Sequence, residues 1–288
     1  MASLKKRRPE NAEGNFFVDS TCIDCDTCRW LAPSVFKSHD EQSIVFRQPE
    51  NETEEIDSIR ALISCPTSSI GMLTKSEKLL AVSTEFPIQI SDHVFYCGYN
   101  SEKSYGAASY FIKTDHGNIL IDSPRFAMPL VKQFEVLGGI KYLFLTHGDD
   151  VADHEKFVSH FGCERIMHRG DLSWSAGKAE IIFDGLVQFS VDIKLIPVPG
   201  HTKGSPVLLY KDKFLFTGDH LAFSVRLKNL YAFRNATWFS WEKQVESMIK
   251  LLDYDFEWVL PGHGRRFNGS KVEMKYQLKK CIEWMKNQ

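Results

Sequence analysis

Leu143-Phe144-Leu145-Thr146-His147-Gly148-Asp149 is a short apolar strand that runs directly into a histidine and a carboxylate. The pattern recurs downstream. Pro199-Gly200-His201-Thr202, Thr217-Gly218-Asp219 and Pro261-Gly262-His263-Gly264 each close an apolar run, at residues 193–198, 206–217 and 258–260. In layered α/β folds ligands gather where strands end. Imidazole and carboxylate together suit zinc or non-haem iron. Residues 83–288 therefore read as a catalytic domain organised around one or two divalent metals, iron or zinc.

Outward from that stretch, strands and helices alternate. Strands are expected at 88–99, at 109–121 with a turn at Asp115-His116-Gly117-Asn118, and at 141–145. Helices are expected at 128–136, 237–252 and 272–286, the first ending at Gly138-Gly139.

The N-terminal part carries a different signature. Cys22, Cys25 and Cys28 recur every third residue, and after 36 intervening residues Cys65 is followed by Pro66. A tight C-x2-C-x2-C loop can present three thiolates to one cubane, and a distant Cys-Pro can supply the fourth. Four thiolates could also hold zinc, but zinc sites use paired C-x2-C knuckles rather than a run. Residues 15–82 resemble a single-cluster bacterial-type ferredoxin. The matching pieces are the cysteine run, Phe17-Val18-Asp19 before it, Ala32-Pro33-Ser34-Val35-Phe36 after it, and the helix-like residues 56–62 leading into Ser64-Cys65-Pro66. The resemblance implies one [4Fe–4S] cluster on Cys22, Cys25, Cys28 and Cys65. Asp26 stands where such domains often have glycine, which costs backbone freedom and sets an acid beside the cluster. Cys97, Cys163 and Cys281 are scattered and expected to be unliganded.

Charge sorts the same way. Residues 1–14 carry net +2, a basic segment expected to be flexible, and residues 15–82 carry net −5, leaving +1 for the rest. An acidic ferredoxin domain suits docking to a basic electron-transfer partner, although a solvated face explains it equally well. The whole-chain charge of −2 gives no reason to expect nucleic acid, and no apolar run approaches the ~20 residues of a membrane helix. Cysteines in metal-ligand spacing point to a soluble protein of a reducing compartment: the cytoplasm, or the plastid stroma if a transit peptide was removed.

The histidine and aspartate turns of residues 83–288 resemble the metallo-β-lactamase superfamily. The expected fold class is thus α+β, a ferredoxin-like domain followed by an αββα sandwich with metals at one edge. On that resemblance Asp122 orients the first ligand loop, His147 opens the H-x-H-x-D-H motif, His201 and His263 are ligands, and Asp219 bridges. The chain departs at the second motif, where positions 149, 151 and 152 hold Asp149, Val151 and Ala152, and Asp153-His154 follow two residues late. An insertion would return Asp153 and His154 to a dinuclear site. Without one, a single metal sits on His147, Asp149, His201 and Asp219, and Asp153 is available as general base beside a catalytic Asp219.

Other residues have bland readings that compete with functional ones. His168, Asp171 and His220 could line the pocket or be structural. Trp238, Phe239 and Trp241 read as core rather than a substrate platform. Arg226, Lys228 and Arg234 read as solvated surface rather than an anion site. The leading function is a metal-dependent hydrolase of an ester- or thioester-like small molecule. A non-haem iron redox enzyme fed by the ferredoxin domain is the alternative, and an electron-transfer module on an inactive scaffold the third.

Overall fold

The computed structural model describes residues 2–173 and 178–288. It divides into two compact units, residues 1–141 with 152–162, and residues 142–151 with 163–288.

The first unit begins with the cysteine-bearing elements β1 (Phe16–Val18), α1 (Thr27–Leu31), β2 (Phe36–His39), β3 (Gln42–Val45), α2 (Glu52–Ser64) and β4 (Ile70–Met72). β1 pairs antiparallel with β4, and β2 with β3. The β2–β3 turn is Asp40-Glu41, both at positive φ, the two-residue geometry that matches strand twist. Asn51 caps α2 by accepting from Glu54 N. Residues 2–14 are no loose tail. Arg8 and Asn11 are buried, and the Asn11 amide bonds the Val18 carbonyl (2.8 Å), Val18 N (3.0 Å) and Val45 N (2.9 Å). One side chain thus ties the segment to two strands.

Helix α3 (Leu79–Ser83) spans position 82, the expected domain boundary, and lies inside this unit. The chain continues into β5 (Ile88–Ser91), β6 (Val94–Tyr96), β7 (Tyr110–Ile112) and β8 (Ile119–Ile121), an antiparallel meander. Asp92, at φ 46°, breaks the expected single strand at 88–99 into a hairpin. Helices α4 (Met128–Val136) and α5 (His154–Phe161) complete the unit. Phe134 of α4 stacks on Phe111 and meets Phe157 of α5 edge-on.

The second unit contains the parallel strands β9 (Tyr142–Phe144), β10 (Glu164–His168) and β11 (Ile181–Phe183). It also contains β12 (Val187–Ser190), β13 (Ile193–Pro197), β14 (Pro206–Tyr210), β15 (Phe214–Gly218), the hairpin β16 (Ala222–Ser224) and β17 (Asn229–Tyr231), α6 (Trp241–Lys250), β18 (Trp258–Pro261), β19 (Phe267–Asn268) and α7 (Lys271–Lys286). Six of these strands form one sheet, ordered β12-β13-β14-β15-β18-β19. Only β15–β18 is parallel in it, and α6 lies on that crossover. Helices α6 and α7 bury Met248, Leu278, Cys281 and Met285 in one core with Val207, Leu215 and Val259. No helix of the described residues is long and apolar enough to cross a membrane.

Candidate metal centre and sulfur site

Strand ends place the polar residues of the second unit. β9 delivers Thr146-His147, β15 ends at Gly218 before Asp219, and β18 ends at Pro261 before His263. Gly218 sits at φ 48°, and a Cβ there would run into Thr146 Oγ1, so glycine lets the two ligand turns close on each other. Two sets of donor atoms converge, each within 4.8 Å: His147, His201 and Asp219, and Asp150, Asp219 and His263. Asp219 belongs to both.

Hydrogen bonds orient the imidazoles. Thr146 Oγ1 lies 2.8 Å from His147 Nδ1. His201 Nδ1 donates to the Ala236 carbonyl at 2.5 Å, so Nε2 is the electron-pair donor, and that buried Nε2 has no hydrogen-bond partner. Asp149 Oδ1 is likewise buried without a hydrogen bond, 3.3 Å from His147 Nε2, while Oδ2 accepts the Trp238 indole N–H at 3.0 Å. Asp150 Oδ2 is 3.3 Å from His147 Nε2 and 3.5 Å from His263 Nδ1. His263 Nδ1 sits 2.8 and 2.9 Å from the two Asp219 oxygens.

Burial alone would lower the His147 pKa, but its bond to Asp150 and the charges of Asp219, Asp150 and Asp149 raise it well above the ordinary value. Burial lowers the His263 pKa, but the charge and hydrogen bond of Asp219 with the charge of Asp150 together push it up to about 9. Asp219 is held far below the carboxylate range against its own burial, by His263, His147 and His201. This nest of carboxylates demands positive charge. The orphaned His201 Nε2 and Asp149 Oδ1 point at the same need, and the donor set fits divalent zinc or iron.

Asp153 and His154 stand elsewhere, at the start of α5 in the first unit. Asp153 accepts from Lys103 Nζ (2.9 Å) and Phe126 N (3.0 Å), with Lys156 Nζ 3.3 Å away. Its pKa is lowered despite burial, chiefly by Lys103. His154 is buried in α5 and, like Asp153, belongs to neither donor set. Asp150, unremarked in the sequence, fills the second set; its only signal was the Asp149-Asp150 doublet after His147. Asp122 closes β8 buried, at φ 54°.

Asp171 anchors the His201 turn from behind. It is fully buried and accepts Gly204 N at 3.0 Å and Ser205 N at 2.9 Å. His168 accepts Gly170 N and faces Phe183, a structural role. Asp171→Ala leaves the buried Gly204 N–H unpaired, which should cost about 1–3 kcal/mol, while Ser205 N keeps Thr202 Oγ1 at 3.0 Å. Loosening a ligand turn should also weaken metal binding by about 10–100-fold. Denaturant melts and competitive chelator titration of the variant check both; unchanged metal affinity would make Asp171 purely structural.

His220 is buried and neutral, its pKa drawn down to about 3 by burial and then by the charge of His201; neither ring nitrogen has a hydrogen-bond partner. The aromatic patch divides. Trp241 packs on the helical core beside Trp284, whereas Trp238 and Phe239 are about half exposed. Trp238 lies 6.2 Å, ring to ring, from His201, and its N–H reaches Asp149, a placement no sequence signal gave. Arg226 and Lys228 are exposed in the β16–β17 turn, and Arg234 is exposed over the Trp241 ring.

In the first unit the four cysteines Cys22, Cys25, Cys28 and Cys65 line one small cavity with Ser43, Thr67 and Ser69. Cys22 Sγ accepts Ser43 N at 3.4 Å, and Cys65 Sγ accepts Ser69 N at 3.3 Å. Cys25 Sγ lies 3.4 Å from Thr27 Oγ1, and Cys28 Sγ 3.2 Å from Ser43 Oγ. Burial, reinforced by the neighbouring cysteines, pushes Cys25 up to about 11 and Cys28 well above the ordinary thiol. Four thiolates cannot crowd here without a cationic core, and each already has a donor in reach, so the set fits an iron–sulfur cluster. Asp24 and Asp26 both adopt the left-handed conformation, and Arg29 pairs with each at 2.5 Å. Aspartate thus meets the backbone need of the absent glycine, and Arg29 offsets its charge. Cys97, Cys163 and Cys281 are buried free thiols outside this cavity.

Strand β6 and its following loop close over the cysteines. Asn100, fully buried, donates to Thr27 Oγ1 at 3.1 Å and accepts from Tyr96 Oη at 2.9 Å. Gly106, at φ 86°, lies so near that a Cβ would meet Cys25 Cβ at 2.7 Å.

The fold and site define a metalloprotein with a ferredoxin module. Residues 105–263, more than half of the chain, match the metallo-β-lactamase superfamily model, and residues 18–72 match the 4Fe-4S single cluster domain of ferredoxin I. The chain belongs to the metallo-β-lactamase superfamily and carries an N-terminal ferredoxin domain. Solved structures similar to it include the metallo-beta-lactamase from Pontibacter korlensis (TM-score 0.55, 20% identity, 69% of this chain and 98% of that one). The metallo-beta-lactamase from Hirschia baltica is another (0.52, 14%, 68% and 96%), and BLEG-1 B3 metallo-beta-lactamase a third (0.54, 16%, 67% and 99%). At these identities the likeness concerns the fold. No protein of curated function matches the chain.

Proposed function

We propose that the chain is a metal-dependent hydrolase of a small ester- or thioester-like substrate, with one [4Fe–4S] cluster on Cys22, Cys25, Cys28 and Cys65. The observation that carries this reading is the pair of donor sets sharing Asp219 beside the half-exposed Trp238 and Phe239. His147, Asp149, Asp150, His201, Asp219 and His263 would hold the metal; Asp153 and His154 would not. Divalent metal there supplies Lewis acidity toward a carbonyl and lowers the pKa of water. The Ala236 carbonyl and Thr146 keep both imidazoles aimed. Asp150 Oδ2 lies between His147 and His263 and would serve as a ligand with them. Trp238 offers an apolar wall to the acyl part.

Three aspartates among six donors favour a second reading, a non-haem iron redox enzyme whose ferredoxin domain supplies electrons, because carboxylate-rich sets suit iron. Anaerobic metal analysis, ester and thioester panels, and stopped-flow reduction separate the two. Zinc at His147 and His201, with turnover of a panel member, is the expected result. Iron there that changes oxidation state as the cluster is reduced, with no hydrolysis, would sink the hydrolase reading.

A further inference from the structure

The first unit holds another cavity, of about 750 Å³, within the size range of small-molecule sites. Its walls include Phe17, Leu62, Ile63, Met72, Leu79 and Tyr99. Three cations also line it, Lys5, Lys75 and Arg125, and no carboxylate is among the described lining residues. That is unexpected beside a ferredoxin domain whose net charge is −5. Arg125 is preset: its backbone N–H donates to Tyr99 O at 2.8 Å, its Nη2 donates to Ile63 O at 3.3 Å, and its guanidinium lies 5.9 Å from the Tyr99 ring centre. Fixing a guanidinium before binding reduces the entropy lost when an anion arrives. Ile70 lines both this cavity and the one formed by the cysteines.

We propose that this cavity binds an amphipathic anion, an apolar body of acyl-chain size ending in one carboxylate. The body lies against the apolar walls, and the carboxylate meets Arg125 with Lys75 and Lys5. Because Ile70 is a shared wall, the ligand sits one side chain from the cluster. The inference rests on the first unit alone and is independent of the metal chemistry.

The test uses full-length holoprotein under anaerobic conditions. Dodecanoate, below its micellar concentration, is titrated calorimetrically against dodecyltrimethylammonium and 1-dodecanol. Dodecanoate is expected to bind at least about tenfold more tightly than the cation. Lys75→Glu, at an exposed position, should weaken dodecanoate by about three- to tenfold, and Arg125→Met by more. Saturating dodecanoate should shift the electron paramagnetic resonance spectrum of the reduced cluster, and His201→Ala should bind it unchanged. If Arg125→Met fails to fold, Lys5→Glu with Lys75→Glu carries the charge test. Equal affinity for the cation, or dodecanoate affinity unaltered by the charge variants, overturns the proposal.

Discussion

Asp219→Asn is expected to strip the centre of nearly all its metal and to lower any turnover by on the order of 10³-fold or more. No other residue belongs to both donor sets. Its two oxygens face His263 Nδ1 at 2.8 and 2.9 Å, and one also accepts His263 N at 3.1 Å. An amide in that place turns an N–H toward His263 and removes the negative charge that holds the imidazoles. Asp153→Asn is the matched control. It should keep full metal, because that carboxylate is engaged by Lys103 and Phe126 N. Elemental analysis of both variants, with cluster iron scored separately through acid-labile sulfide, reads the difference. Metal lost from Asp153→Asn and retained by Asp219→Asn would reverse the assignment of the site.

Cys25→Ala with Cys65→Ala should give a colourless protein lacking about four irons and four sulfides. The loss should extend beyond colour. Cys25 is bonded to Thr27, and Thr27 to Asn100. Without a cluster the sulfur cavity has no core, and the order of residues 96–106 loses its support. We expect several kcal/mol of stability to go, since cluster binding is part of the folding free energy. Thermal melts followed at Trp30, which meets Tyr96 edge-on at 5.0 Å, would report it. Full colour and sulfide in the double variant would place the cluster on other ligands.

Much of the architecture was legible because periodicity and turns agreed. The helix at 128–136 appears with those bounds, and the strand-end histidines and aspartates lie where apolar runs stop. Legibility failed where a local pattern had two solutions. After His147 the sequence offers Asp149, Asp150, Asp153 and His154, and spacing alone leaves open whether the Asp153-His154 pair, two residues late, returns to the site. The chain instead enters α5 at His154, which carries Asp153 to Lys103, while Asp150 meets His263. Only tertiary contact decides between them. Trp238 was misjudged for the same reason: an aromatic before a helix usually seals a core, but here backbone bonds from Trp238 and Phe239 to His201 O fix the segment at the metal turn. The basic N-terminus read as loose because its anchors are polar groups with no sequence pattern: Asn11, the buried Arg8 and the Ser3 N–H on Asp19.

The closure of β6 and its loop over the cysteines bears on whether this chain can be cut into two working pieces. Tyr96, Tyr99 and Asn100 lie between the two family matches, which end at 72 and begin at 105, and they are buried against elements that precede them: Tyr96 by Trp30, Tyr99 by Ser83 and Phe86, Asn100 by Thr27. Two modules joined by a free tether could be shuffled, and each would keep a finished surface. Here a break near residue 82 would part Tyr96 from Trp30 and Asn100 from Thr27, baring a ring and an amide that are now buried. The ferredoxin segment is thus part of the scaffold, and the strands after it, expressed from residue 83 onward, are expected to be less soluble than the whole chain.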